Sequence, residues 1–338
     1  MTATGERVRA VAETTGSDAK AIHVTLFGLS DMGRVRKNNE DNFVICNLTT
    51  GEVGSSPSLA GHDLGPLGSL FMVADGMGGE ASGEVASQLA AVTVPKRLYD
   101  NLKTLGTVSE PNFVILLREA IEYANQIIFQ KALANAAYHG MGTTTTASAL
   151  FGQHLFIGQV GDSRCYLIRN KQITQLTRDQ TFLNYLRDIG AEMPADPEKD
   201  SRKSILTQAV GSSETLDVKV TYIRVRQGDR ILLCSDGLYN MVPDTDLLEI
   251  AGRGDGLADN CKALIEKANA NGGTDNVTVI LVDFSGQGLP PSDAGAAVEC
   301  KEFNEEDLNR KTRKSSVVSC RLAFLTCPSG GRLLGTEN

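Results

Sequence analysis

Histidine is scarce in this chain: four in 338 residues, at positions 23, 62, 139 and 154. None falls in metal-ligand spacing, which disfavours a zinc site. Positive charge is also short. Lys and Arg number 33 against 41 Asp and Glu, for a net charge of −8. A general nucleic-acid binder usually carries a basic domain, so that class is set aside. Long apolar runs are missing. No stretch approaches the roughly 18–20 residues of a membrane span, and the polar start MTATGERVRAVAETTGSDAK has no apolar signal core. Seven cysteines are present, an odd number with no CxxC pair. That excludes a disulfide framework and fits a reducing compartment. Cys165 and Cys234 lie in apolar runs and read as small core residues. The expectation is a cytoplasmic protein with no membrane and no nucleic-acid partner.

What the chain does have is acidic punctuation. NNED (38–41), ADGMGG (74–79), SDG (235–237) and TDN (274–276) each put an Asp at the end of an apolar run, and GDSR (161–164) sits inside an alternating one. Asp avoids strand interiors, so Asp at repeated strand ends points to carboxylates converging at one sheet edge. Several carboxylates cannot stay ionised together without a counter-charge. Hard divalent cations, which take oxygen ligands, supply it most simply.

The periodicity lays out the rest. Residues 1–21 read as a loose arm. VTLFGLS and DNFVICNL are strand-like, and the Gly-, Ser- and Pro-rich stretch 51–68 reads as a loop. Helical spacing covers about 82–102 and 112–137. GTTTTASALF, HLFIGQVGDSRCYLIRN and KQITQLT are β-rich, turn at 153–154 and 170–171, and read as an antiparallel meander. Residues 179–204 are polar with one short helical piece, like an insertion laid over a surface. VKVTYIRV, DRILLCSDG and NVTVILVDF are strands, with helices near 244–251 and 257–270 between the last two. After Phe284 the composition shifts to Gly, Pro, Ser and Ala, so 285–338 reads as a tail outside the fold. A two-layer β core flanked by helices is expected.

RKNNED, VADGMGG, GTT, GDSR, LTRDQ, CSDGL and GGTDNVT occur in an order that resembles the metal-dependent protein phosphatases, the type 2C serine/threonine phosphatases, with bacterial members most alike. The resemblance covers roughly 24–284. It implies an α+β fold, an α-β-β-α sandwich of two antiparallel sheets flanked by helices, with metals at one edge. It implies two Mn²⁺ or Mg²⁺ ions, with a third, weaker ion as an option, and phosphorylated Ser/Thr proteins as substrates. A partner Ser/Thr kinase follows by analogy alone, and a monomer is expected. The stretch 179–204 corresponds to the family's flap.

Under that resemblance Asp75 corresponds to the carboxylate bridging both metals, with the Gly76 carbonyl beside it. Asp236 and Asp275 fill further ligand slots, and Asp162 the slot of a third metal shared with Asp236. Taken alone, each could be a turn or cap residue, and Asp162 could be a turn Asp paired with Arg164. Glu40 and Asp41 are neighbours in a strand and point to opposite faces, so they do not chelate one ion together. Asp41 is the better candidate of the two. Arg36 corresponds to the group that faces the substrate phosphate, which suits a planar guanidinium fork. The chain departs from the family where some members carry His: Met77 follows the DG, and Gln180 follows the LTRD. The proton donor is therefore open. A rival Cys-nucleophile phosphatase needs C-x5-R to cradle phosphate. No Cys here has Arg six positions on, and CPSGGR (327–332) is one residue short.

Overall fold

The computed structural model describes residues 21–54, 60–78, 82–293, 295 and 297–303. Nearly all of the expected N-terminal arm, and the chain after Phe303, lie outside the described residues. Two antiparallel sheets form the centre. One has six strands in the order β10 (Gln172–Gln175), β9 (Arg164–Arg169), β12 (Arg230–Cys234), β13 (Val277–Ser285), β1 (His23–Asp31) and β4 (Ala60–Asp63). The other has eight. Seven run in the order β14 (Lys301–Glu302), β11 (Lys219–Arg224), β8 (His154–Val160), β7 (Thr145–Phe151), β5 (Ser69–Met77), β2 (Asp41–Asn47) and β3 (Glu52–Gly54), and β6 (Gly142–Thr143) pairs with β5. Helices α1 (Ser82–Leu105) and α2 (Glu110–Ala134) cover the larger sheet. Helices α4 (Asp236–Tyr239), α5 (Asp244–Ala251) and α6 (Leu257–Ala270) cover the smaller one. Between β10 and β11 lies α3 (Phe182–Asp188).

The central strands read as unbroken apolar runs because both faces are buried. Along β5, Leu70, Met72 and Ala74 face the helices, while Phe71 and Val73 enter the layer between the sheets. Along β13, Val277, Val279 and Leu281 pack under α4–α6, and Ile280, Val282 and Phe284 face the inter-sheet layer. Three apolar layers result, and the α-β-β-α order follows from them.

Three expectations change. The stretch 51–68 is not all loop: β3 pairs with β2, and β4 with β1. Gly and Ser masked these short edge strands. The β-rich run 142–175 is not one meander. The β7–β8 hairpin belongs to the larger sheet and β9–β10 to the smaller. The chain changes sheets at residues 161–163, with Gly161 at φ +94°. The turn at Asn170 and Lys171, both at positive φ, is a tight β-hairpin connection.

The fold also does not end near Phe284. Gly288 N–H donates to the Ala21 carbonyl at 3.0 Å and Gln227 N–H to that of Pro290 at 2.9 Å. Leu289 is buried, β14 extends the β11 edge, and Phe303 packs on the helix-side core. This strap is held largely through backbone, which leaves little apolar signature in the sequence.

Candidate active site

Antiparallel pairing explains why residues far apart in sequence meet. Asp41 starts β2 and lies directly opposite Asp75 near the end of β5. Asp236 follows β12 and Asp275 precedes β13, and those strands are paired neighbours. Asp162 follows β8, whose end pairs with the start of β7. All five therefore reach the same edge of the sandwich. A cleft of about 840 Å³ opens there, and Arg36, Asp75, Gly76, Asp162, Asp236 and Asp275 line it. Asp41 is buried at the base of β2.

Each loop is pinned by small polar side chains that sequence reading did not single out. Ser235 and Thr278 hydroxyls donate to Asp41 Oδ2 at 2.6 and 2.7 Å. The hydroxyl of Thr143 and the N–H of Thr144 donate to the Asp75 carbonyl at 2.9 and 2.8 Å. The Asp75 N–H donates to Thr144 Oγ1 at 2.9 Å. Thr144 and Ser163 hydroxyls are 2.7 Å apart, and Thr146 Oγ1 donates to the Ser163 carbonyl at 2.6 Å. The GTT and GDS motifs thus fasten Asp75 and the Asp162 turn to one another. Asn276 does the same for the 31–40 loop: Oδ1 accepts from Glu40 N–H, and Nδ2 donates to the carbonyls of Met32 and Asn38. The signal for these residues was present as hydroxyl and amide residues adjoining each acidic motif.

Gly76 has a steric reason. A Cβ there would stand 2.2 Å from the Gly83 carbonyl oxygen and 2.7 Å from that of Glu40. Gly33, at φ +82°, lets its loop lie on the Asp275 backbone, where a Cβ would meet the carbonyl oxygen at 2.2 Å.

The electrostatics are strained in one direction. Burial raises the Asp41 carboxyl to about 6, against the hydrogen bonds from Ser235 and Thr278. Burial, then the charge of Asp179, raises Asp162 to about 6. Asp75 and Asp236 stand well above the usual carboxylate range, through burial and then repulsion among the neighbouring carboxylates. Arg36 donates to Asp275 Oδ2 at 2.6 Å. Arg164 does not pair with Asp162. It forks onto Asp179 at 2.6–3.1 Å and stacks on the Tyr239 ring at 3.6 Å, while Tyr239 O–H donates to the Asp162 carbonyl.

The donor set fits a hard divalent cation. Asp41 Oδ1 is buried and accepts no hydrogen bond. A buried carboxylate oxygen left so is costly unless a cation is its partner. Gly76 lines the cleft and has no side chain to hold an ion away from its backbone. Among the described residues no three Asp, Glu, His or Cys groups are gathered tightly enough to hold an ion as they stand, and Arg36 occupies one oxygen of Asp275. The four buried cysteines, 46, 165, 234 and 261, offer no alternative nucleophile. Burial pushes Cys46 up to about 11 and Cys165 and Cys261 up to about 12, and raises Cys234 as well.

Comparison with known proteins agrees with this architecture. The protein phosphatase 2C family matches residues 60–273. The serine/threonine phosphatase stp of Listeria monocytogenes is 36% identical over 255 residues, 75% of this chain and 93% of that protein. Stp1 of Staphylococcus aureus has a crystal structure that superposes with a TM-score of 0.67 at 28% identity, over 81% of this chain and 100% of that one. The catalytic domain of the phosphatase PstP, solved with two manganese ions, superposes with a TM-score of 0.62 at 32% identity, over 78% of this chain and 99% of that one. The family match spans more than half the chain, and a relative above 30% identity is covered almost entirely. The chain therefore belongs to the protein phosphatase 2C family and is a protein serine/threonine phosphatase of the bacterial, metal-dependent (PPM) type.

Proposed function

We propose that the chain hydrolyses phosphoserine and phosphothreonine in proteins by in-line attack of water, without a covalent phosphoenzyme. Asp41, Asp75, the Gly76 carbonyl, Asp236 and Asp275 would hold two divalent ions, Mn²⁺ or Mg²⁺. Asp162, with Asp236, would hold a weaker third. Such ions supply a water of lowered pKa and positive charge for the phosphoryl oxygens. The observation that carries this reading is the unpartnered buried Oδ1 of Asp41 among carboxylates that burial and mutual repulsion hold above their ordinary range.

The chain's own residues do the positioning. Ser235 and Thr278 hold Oδ2 of the Asp41 carboxylate, leaving Oδ1 without a hydroxyl donor. Arg36 lines the cleft, half exposed, at its ion pair with Asp275. With Asp275 engaged by a cation, the Arg36 guanidinium would be free to fork onto the phosphate. Met77 lines the cleft and has no proton to give. Gln180 cannot serve either, because its amide carries no titratable proton. Neither residue can supply the proton that the leaving alkoxide takes up. The test is calorimetric titration of the EDTA-stripped protein with Mn²⁺. Saturable binding that Asp41→Asn and Asp75→Asn each abolish is expected. No binding by the wild-type chain overturns the reading.

A further inference from the structure

The sequence LTRDQ (176–180) leads into the flap, and Gln180 at its end makes more contacts than the proposed chemistry uses. Its side-chain Oε1 accepts from Gly161 N–H at 2.9 Å, and its own N–H donates to the Gly161 carbonyl at 3.0 Å. The pair is reciprocal, and Gly161 is the residue before Asp162. Gln180 Nε2 donates to the Gln159 carbonyl at 3.4 Å, in β8 two residues before Gly161. The Gln180 carbonyl accepts from both the N–H and the hydroxyl of Thr207, at 2.8 and 3.0 Å.

Thr207 lies just past the 179–204 flap, in the returning segment that lines the cleft from Ser204 to Ala209. The outgoing leg is tied there too. Thr181 bridges to Leu206, and Phe182 N–H donates to the Ile205 carbonyl at 2.8 Å. Gln180 is thus bonded both to the segment returning from the flap and to the Asp162 turn. Its neighbours reinforce the joint. Asp179 holds Arg164 just past the turn, and Arg178 N–H donates to Gln159 Oε1 at 3.0 Å.

We propose that Gln180 is a positioning residue that couples the flap to Asp162, so that the cleft wall and the Asp162 carboxylate move as one unit. It acts through the turn and touches neither substrate nor ion. The inference rests on the reading of Asp162 as a ligand of the weaker cation. A partner of this kind, bonded to the segment that carries a ligand, is worth about 10–100-fold in metal affinity in other sites.

Three variants test it: Gln180→Met, which keeps the volume and loses the acceptor; Gln180→Glu, which keeps an acceptor; and Asp162→Asn. The readouts are Mn²⁺ titration by calorimetry and hydrogen exchange of the peptides spanning 159–163 and 204–208. The expected result for Q180M is weak-site affinity lowered about tenfold, tight-site affinity unchanged, and faster exchange in both peptides together. Q180E is expected to recover slow exchange at 159–163. If Q180M loosens neither peptide, or loosens 204–208 alone, the coupling is wrong. If Q180M loosens both and leaves weak-site affinity intact while D162N removes it, positioning of Asp162 is wrong. If D162N itself leaves Mn²⁺ binding unchanged, the ligand reading of Asp162 has failed and the inference falls with it. A fall in both tight and weak affinities in Q180M would mean general disruption and would also overturn it.

Discussion

A single buried oxygen, Asp41 Oδ1, concentrates the problem this site has to solve. Its partner oxygen takes two hydroxyl donors, and removing one leaves a buried charge less well held. Ser235→Ala is therefore expected to weaken Mn²⁺ binding about tenfold, as second-layer losses do, with the fold unchanged by circular dichroism. Unaltered affinity would show that Thr278 alone suffices. Arg36→Ala removes the guanidinium proposed to face the phosphate and frees Asp275 of its ion pair. The expected signature is a raised KM with metal affinity not reduced; collapse of metal binding would make Arg36 structural. The carboxyls set a pH dependence as well. Asp162 holds its proton more tightly folded, near pH 6, than unfolded, near 4. Its charge therefore costs stability, absent below about pH 4 and full above about pH 6. Metal-free Asp162→Asn should melt higher than wild type at pH 7.5, and the gap should close as the pH falls to 4. A gap independent of pH would contradict the shift.

At the scale of elements, what the sequence made legible depended on how each segment is buried. Both layers of β5 and β13 are apolar, so their runs stood out, as did the α5 and α6 periods. The acidic ends of those runs were legible because Asp seldom sits inside a strand. The strands at 52–54 and 60–63 were not, since edge strands need no apolar face. The sheet change at 161–163 was hidden because β8 and β9 are equally apolar, and only pairing partners distinguish one sheet from two. The supporting hydroxyls of Thr143, Thr144, Ser163, Ser235 and Thr278 carried no apolar or charge signal. The strap at 286–303 was lost for a related reason: its hold is backbone hydrogen bonds and a few side chains such as Leu289 and Phe303. Truncation after Gly288 is accordingly expected to lower Tm by about 5–10 °C, from a few kcal/mol lost in a domain of this size. Truncation after Phe303 should lower it far less. Equal melting of the two truncated chains would show that the strap contributes nothing.

For the whole molecule, two sheets pack so that five strand ends bring carboxylates to one edge, where Asp75, Asp162, Asp236 and Asp275 line the cleft and Asp41 is buried at its base. No helix of the described residues is long and apolar enough to cross a membrane. The central claim is that this edge works only with divalent metal. The direct measurement is turnover of a phosphoserine peptide and of p-nitrophenyl phosphate after EDTA treatment, with and without added Mn²⁺ or Mg²⁺, for wild type and Asp75→Asn. The account predicts no turnover in EDTA, recovery in the wild type on adding metal, and none in Asp75→Asn. Full wild-type turnover in excess EDTA would contradict it.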